Sequence, residues 1–196
     1  MGGSLTREVL TALAEGGVAA IPTDTVYGLA ARPDLADAVE KIFVLKGRPP
    51  EKPLPVLGAS VDQLRGVVRF DDDAERLADS FWPGGLTIVL PRADGFDFDL
   101  GGEGADTVAV RIPRHSLALA LLRETGPLAV TSANPSGEPP AATPSAVRAY
   151  FDDEVPILDG GAAAGEASTT ISLAGGLKVL RAGEISEVEL RQSLMS

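Results

Sequence analysis

An α/β fold, with a twisted, open, mixed sheet and flanking helices, is predicted by three observations. Short apolar runs of strand-forming residues, LTIVL at 86–90 being the plainest, alternate irregularly with stretches whose apolar residues recur at helical spacing. At 196 residues the chain is long enough for one substantial core and short for two, so a single domain over 1–196 is expected. No repeat, heptad seam or apolar run long enough to cross a bilayer breaks the pattern, and a soluble cytoplasmic protein is expected.

Residues 5–14 read as an amphipathic helix through Leu5, Val9, Leu10 and Leu13, stopped by Gly16 and Gly17. Strand formers at 18–21 lead through Pro22 into an extended segment, where Thr23 and Thr25, two apart, turn both hydroxyls one way. Gly28 permits a tight turn or a close backbone approach. Asp34 is the expected cap of a helix carried by Leu35, Ala38, Val39 and Ile42 and ended by Gly47. Residues 53–59 suit a short buried strand, with Pro55 at an edge or start. Ser60 with Gln63 forms a capping box for a helix to about Val68, and a further helix spans 72–81 before Trp82-Pro83-Gly84-Gly85. After the strand at 86–90, residues 91–106 form a Gly- and Asp-rich loop, either a lid or ordinary irregular surface. A strand at 107–112 carries Arg111, a helix covers 116–123, a strand 128–131 and a helix 143–150. Strands at 156–158 and 168–173 flank a Gly/Ala-rich loop, and a strand at 178–180 precedes a helix capped by Ser186 with Glu189.

Composition removes several chemistries. With no cysteine, disulfides and thiolate catalysis are excluded, and a single histidine leaves His115 as the one candidate for a triad. His115 reads instead as a local capping or surface residue. The net charge of -11 argues against broad adhesion to nucleic acid or anionic membrane, yet a local basic cavity is compatible with it. Neither a phosphate-binding G-x-x-x-x-G-K-[ST] loop nor a G-x-G-x-x-G between strand and helix is present.

Four small groups stand at strand ends or turns, where sheet proteins place ligands: Thr23/Thr25/Tyr27, Lys46/Arg48, Ser132/Asn134, and Ser168/Thr169/Thr170 with Arg181. Lys46 and Arg48 are either solvated charges at a helix end or a seat for a phosphorylated or carboxylated small molecule. Ser132 and Asn134 either satisfy their own turn or offer a hydroxyl and an amide to phosphate, base or ribose. Arg111 and Arg181, each preceded by apolar residues, need an anionic partner, an internal Asp or a ligand.

The order PTDTVYGLA, K-G-R-P, PLPVL, FWPGGLTIVL, VAVRIPRH, TSANPSG, ILDGG, STTIS and LRAG closely resembles the YrdC-like L-threonylcarbamoyladenylate synthases, over about residues 17–184. The resemblance is to the single-domain form and implies an open α/β sheet curved around a concave, positively charged cavity. It implies an ATP-dependent nucleotidyltransferase that makes threonylcarbamoyl-adenylate and pyrophosphate from L-threonine, bicarbonate or CO2, and ATP. That product feeds N6-threonylcarbamoyladenosine formation in tRNA through the threonylcarbamoyl-transfer machinery, so tRNA is served indirectly. Lys46 and Arg48 would act on the phosphates, with Ser132, Asn134, Ser168 and Arg181 also at ATP. Thr23, Thr25, Tyr27, Arg111 and Thr169 would hold threonine. No metal is expected to bind protein ligands directly, Mg2+ being carried by the triphosphate. Some relatives carry a histidine after P-L-x-V, where this sequence has Leu57. The competing readings are a carbamoyl-adenylate-forming enzyme and a noncatalytic RNA-binding module.

Overall fold

A computed structural model describes residues 7–102, 105–163 and 167–195. Its strands are β1 (Ala19–Ile21), β2 (Gly28–Ala31), β3 (Val56–Leu57), β4 (Leu86–Pro91), β5 (Thr107–Arg111), β6 (Leu128–Ser132), β7 (Thr169–Ser172) and β8 (Lys178–Arg181). They form one sheet in the order β1-β2-β6-β3-β5-β4-β7-β8. The pairs β3/β5 and β4/β7 are parallel and the other neighbours antiparallel, which is the mixed, open α/β sheet expected.

Strand alternation sends successive side chains to opposite faces, and the apolar residues sort accordingly. One face packs Leu29, Val56, Leu86, Ile88, Val110 and Ile171 against α2 (Ala36–Lys46), α3 (Val61–Arg65), α4 (Asp72–Phe81), α6 (Pro144–Phe151) and α7 (Glu187–Met195). On the other face, Ile21, Ala30, Leu57, Leu128 and Val130 meet Val9 and Leu13 of α1 (Arg7–Ala14) and Leu121 and Leu122 of α5 (Ser116–Thr125). These two helices cover the β1/β2/β6/β3 side. Over β5, β4 and β7 the same face carries Ala109, Thr87 and Thr170, which line a cavity.

The cap signals at two helices act as read. Ser60 Oγ accepts from Gln63 N at 3.2 Å while Gln63 Oε1 accepts from Ala59 N at 2.8 Å, and Ser186 Oγ accepts from Glu189 N at 3.3 Å while Glu189 Oε2 accepts from Ser186 N at 2.8 Å. Asp71, not anticipated as a cap, accepts from Ala74 N at 2.8 Å. Asp34 departs from expectation. Leu35 occupies the cap position without a side-chain bond, because Asp34 is drawn to Arg32 Nε at 3.0 Å. Residues 156–158 make only a single bridge beside β1, at Ala20 and Ile157, rather than a strand. Strand β2, by contrast, has no counterpart in the sequence reading. Its residues GLAA have weak strand preference, and neighbours on both sides, β1 and β6, impose the conformation. Leu5 and part of the 91–106 and 159–167 loops lie outside the described residues.

The described part of 91–106 is no cover for the cavity. Phe96 and Leu100 are buried, Leu54 N donates to Leu100 O at 2.8 Å, and Gly102 N donates to Pro50 O at 2.7 Å. A Cβ at Gly101 (φ +80°) would stand 2.6 Å from Phe43 Cζ. The loop therefore buttresses residues 50–54, the segment that follows Arg48.

Candidate active site

The cavity left open beside α1 and α5 has a volume of about 330 Å³ and is bordered by Thr23, Thr25, Arg48, Leu57, Thr87, Arg111, Ser132, Ser168, Thr170 and Arg181, among others. A second cavity of about 410 Å³ shares Arg48 and Ser132 with it and adds Lys46, Lys52, Asn134 and Ser136. Among the described lining residues there are five cations and no carboxylate. A protein of net charge -11 thus encloses a positive interior.

Arg111, at the end of β5, is 6 % exposed. Its Nε donates to Gly84 O at 2.9 Å, Nη1 to Thr25 Oγ1 at 3.1 Å and Nη2 to Asp24 Oδ1 at 2.7 Å. The anionic partner it needs is the internal Asp24, and the same side chain lines the cavity. Burial lowers its pKa, and Asp24 and Glu184 oppose that shift. Asp24 is a site residue the sequence reading passed over. Besides binding Arg111 it accepts from Arg114 N at 2.9 Å, locking the 22–26 turn to the end of β5.

Thr23 and Thr25 do share one space, their hydroxyls 2.9 Å apart, but not through extended alternation. Thr23 Oγ1 donates to Val26 O at 2.6 Å and accepts from Thr25 N and Val26 N, so a hydroxyl-stabilised turn brings the pair together. Tyr27 is fully buried, and its hydroxyl donates to Gly161 O at 2.8 Å and accepts from Gly160 N at 3.0 Å. It pins the 159–161 segment, and its polar tip is committed to that task.

Lys46 ends α2 and is 3 % exposed. Its Nζ donates to Ser132 O at 2.5 Å, Asn134 O at 2.6 Å and Asn134 Oδ1 at 3.4 Å, while Asn134 Nδ2 donates to Pro135 O and Glu138 O at 2.8 Å. Lys46 and Asn134 are therefore brought together, as a cross-brace between α2 and the turn after β6. Burial first, and the Arg48 charge second, lower the Lys46 pKa to about 8. Arg48 is anchored by Nε to Lys52 O at 2.9 Å and Nη2 to Pro53 O at 3.0 Å, which holds the guanidinium where both cavities meet.

On the opposite wall Arg181 Nη2 donates to Ser168 Oγ at 2.8 Å, and Ser168 Oγ lies 3.0 Å from Thr87 Oγ1. Thr169 is a correction. Its side chain leaves the cavity for the far face, where Oγ1 donates to Ile185 O at 2.9 Å and accepts from Ile185 N at 3.0 Å. Thr170, one residue on, borders the cavity instead. Three consecutive hydroxyl residues hid the phase of the strand, which only pairing with β4 fixes. Thr169→Val is accordingly expected to cost about 1–3 kcal/mol in urea unfolding and to leave ligand affinity at the cavity within about twofold. A large loss of that affinity at full stability would return Thr169 to the site. His115 precedes α5 without capping it through its side chain, and its Nδ1 is buried with no partner among the described residues.

A protein-family model described as "Telomere recombination", spanning Sua5, YciO and YrdC proteins, matches residues 11–183. The threonylcarbamoyl-AMP synthase of Bacillus subtilis (strain 168) is 42% identical over 183 residues, 91% of this chain and 53% of that protein. That of Pseudomonas aeruginosa (strain UCBPP-PA14) is 41% identical over 159 residues, 80% of this chain and 85% of that protein. Among solved structures, Pyrococcus abyssi Sua5 complexed with L-threonine superposes with a TM-score of 0.90 at 39% identity, covering 95% of this chain and 56% of that one. The chain thus spans about half the length of the Bacillus and Pyrococcus proteins.

Proposed function

Because the chain belongs to the YrdC/Sua5-like threonylcarbamoyl-AMP synthase family, we propose that it joins L-threonine, bicarbonate or CO2, and ATP into threonylcarbamoyl-AMP with release of pyrophosphate. The product would serve tRNA N6-threonylcarbamoyladenosine formation in the cytoplasm, reaching tRNA through separate transfer machinery. The observation that carries the reading is the cationic double cavity: Arg111, Thr25 and Thr23 on one side, Arg48 at the junction, and Arg181 with Ser168 on the other.

Threonine's carboxylate is taken by Arg111 and the neighbouring hydroxyls. Its uncharged amine adds to the carbon of CO2, losing a proton, and an oxygen of the resulting N-carboxylate attacks the α-phosphorus of ATP. The bond to the bridging oxygen breaks, and pyrophosphate leaves with the electron pair. No covalent enzyme intermediate is needed, so orientation and fixed charge do the catalysis. Arg48 and Arg181 offset charge on the phosphates, Ser132 and Ser168 orient the nucleotide, and Lys46 with Asn134 keeps the Ser132 turn in place. No cluster of His, Asp or Glu suited to a metal occurs among the described residues, so Mg2+ would be held by the triphosphate. Residues 1–196 would act as a single domain.

The test is pyrophosphate release from ATP, Mg2+ and bicarbonate with and without L-threonine, for the native chain and Arg48→Ala. Release should depend on threonine and fall roughly 100-fold in the variant, the scale of losing one fixed transition-state donor. Release indifferent to threonine would overturn the reading and direct the assay to carbamoyl phosphate and then to RNA binding.

A further inference from the structure

The lining of the cavity leaves one half of an amino acid without a partner. Three arginines suit carboxylate and phosphates, but a zwitterion also brings an ammonium, and no carboxylate borders either cavity among the described residues. Two carboxylates lie just behind Arg111. Asp24 is tied to the fold, its Oδ1 accepting from both Arg111 and Arg114. Glu184, which follows β8, is the other.

Glu184 lies flat across the turn that holds Arg111. Gly84 O accepts from Arg111 Nε at 2.9 Å, and at the next residue a Cβ would fall on the Glu184 carboxylate, with Cγ only 3.0 Å away. The missing side chain at Gly85 is thus what lets the exposed Glu184 carboxylate lie against this turn. Gly183 makes the approach possible from the other side, since a Cβ there would collide with Ala167 O and, at 2.5 Å, with Thr169 N. The Glu184 charge is felt at Arg111, where it opposes the effect of burial. Among the described residues its carboxylate takes part in no ion pair.

The geometry points to Glu184 as the receptor for the α-ammonium of the amino-acid substrate, held over Gly85 beside the arginine that takes the carboxylate. This rests on the threonine reading of the cavity and adds to it the means of selecting a zwitterion over a simple carboxylate. Within an α-amino acid the two charged groups are separated by a single carbon, and Arg111 and Glu184 are likewise set around adjacent peptide units, Gly84 and Gly85. An exposed carboxylate also gives the ammonium proton a route to solvent when the amine is released for attack on CO2.

Binding of L-threonine and of 3-hydroxybutanoate, which lacks the amine, is measured by calorimetry on the native chain, Glu184→Gln and Gly85→Ala. The native chain should prefer threonine, and both variants should lose roughly tenfold or more of that preference while binding 3-hydroxybutanoate as before. Gly85→Ala reaches the same loss by displacing an intact Glu184, and thermal unfolding of Glu184→Gln should match the native curve. Undiminished preference in a folded Glu184→Gln overturns the assignment alone. A native chain that binds no threonine overturns it together with the proposed function.

Discussion

Arg111→Ala is expected to reduce threonine-dependent pyrophosphate release by at least about 100-fold and to destabilise the fold by about 3–5 kcal/mol. The two losses have separate origins. In the fold, Arg111 and Asp24 form an ion pair at 2.7 Å with side chains only 7% and 16% exposed, and removing the guanidinium strands a carboxylate that also holds Arg114 N. In the site, the same guanidinium is the cation nearest the paired hydroxyls of Thr23 and Thr25. Arg111→Lys separates the effects. A lysine keeps the charge and can serve Asp24, but its point-like ammonium cannot also reach Thr25 and Gly84 in the planar fork that arginine supplies. Stability should recover by more than half while the threonine constant stays raised. If the ATP constant rises instead, Arg111 belongs to the nucleotide.

Lys46→Met should lower kcat/KM for ATP by about 100-fold with a much smaller effect on stability. Removing the ammonium takes the donor from Asn134 O and Asn134 Oδ1, at about 1–3 kcal/mol for each buried oxygen left unpaired, while Ser132 O keeps Asn134 N at 3.1 Å. Against that, a charge held in poor solvent disappears. The same balance sets the pH response. An unfolded chain keeps the Lys46 proton to about 10.5, whereas the folded chain releases it near 8, so the unfolded state binds more protons between those values. Stability from this group therefore rises with pH across that window, by on the order of 3 kcal/mol for a shift from 10.5 to about 8. Activity should do the reverse, falling with a midpoint near pH 8 as the cavity loses a charge and the brace loses a donor. A parallel pH series of melting temperature and kcat/KM, in native and Lys46→Met chains, checks the sign. Activity and stability falling together in the native chain would locate the titration elsewhere.

The legible parts of this chain are those decided locally. Ser60 and Ser186 cap helices because the bond each makes lies within three residues, and LTIVL is a strand in any context rich in partners. The cationic residues of the site were also legible, since Lys46, Arg111 and Arg181 each end an element and Arg48 follows two residues after α2. What sequence did not disclose is which way they are spent. Lys46 bonds to carbonyls 86 and 88 residues away, and Asp24 to an arginine 87 residues away, so neither role has a local signal. Strand β2 and the phase of Thr169 were lost for a related reason: both are settled by neighbouring strands rather than by their own side chains.

The sheet order has one more consequence. Residues 23, 48, 111 and 181 meet at one cavity only because strands distant in the chain lie side by side. Cutting the polypeptide between any two of them divides the charge that would grip a single small molecule, and neither fragment keeps a reduced version of the site. Such a centre cannot be shuffled between proteins as a short motif or rebuilt from a loop graft. It is inherited as an entire sheet, and new capacities have to be added around it.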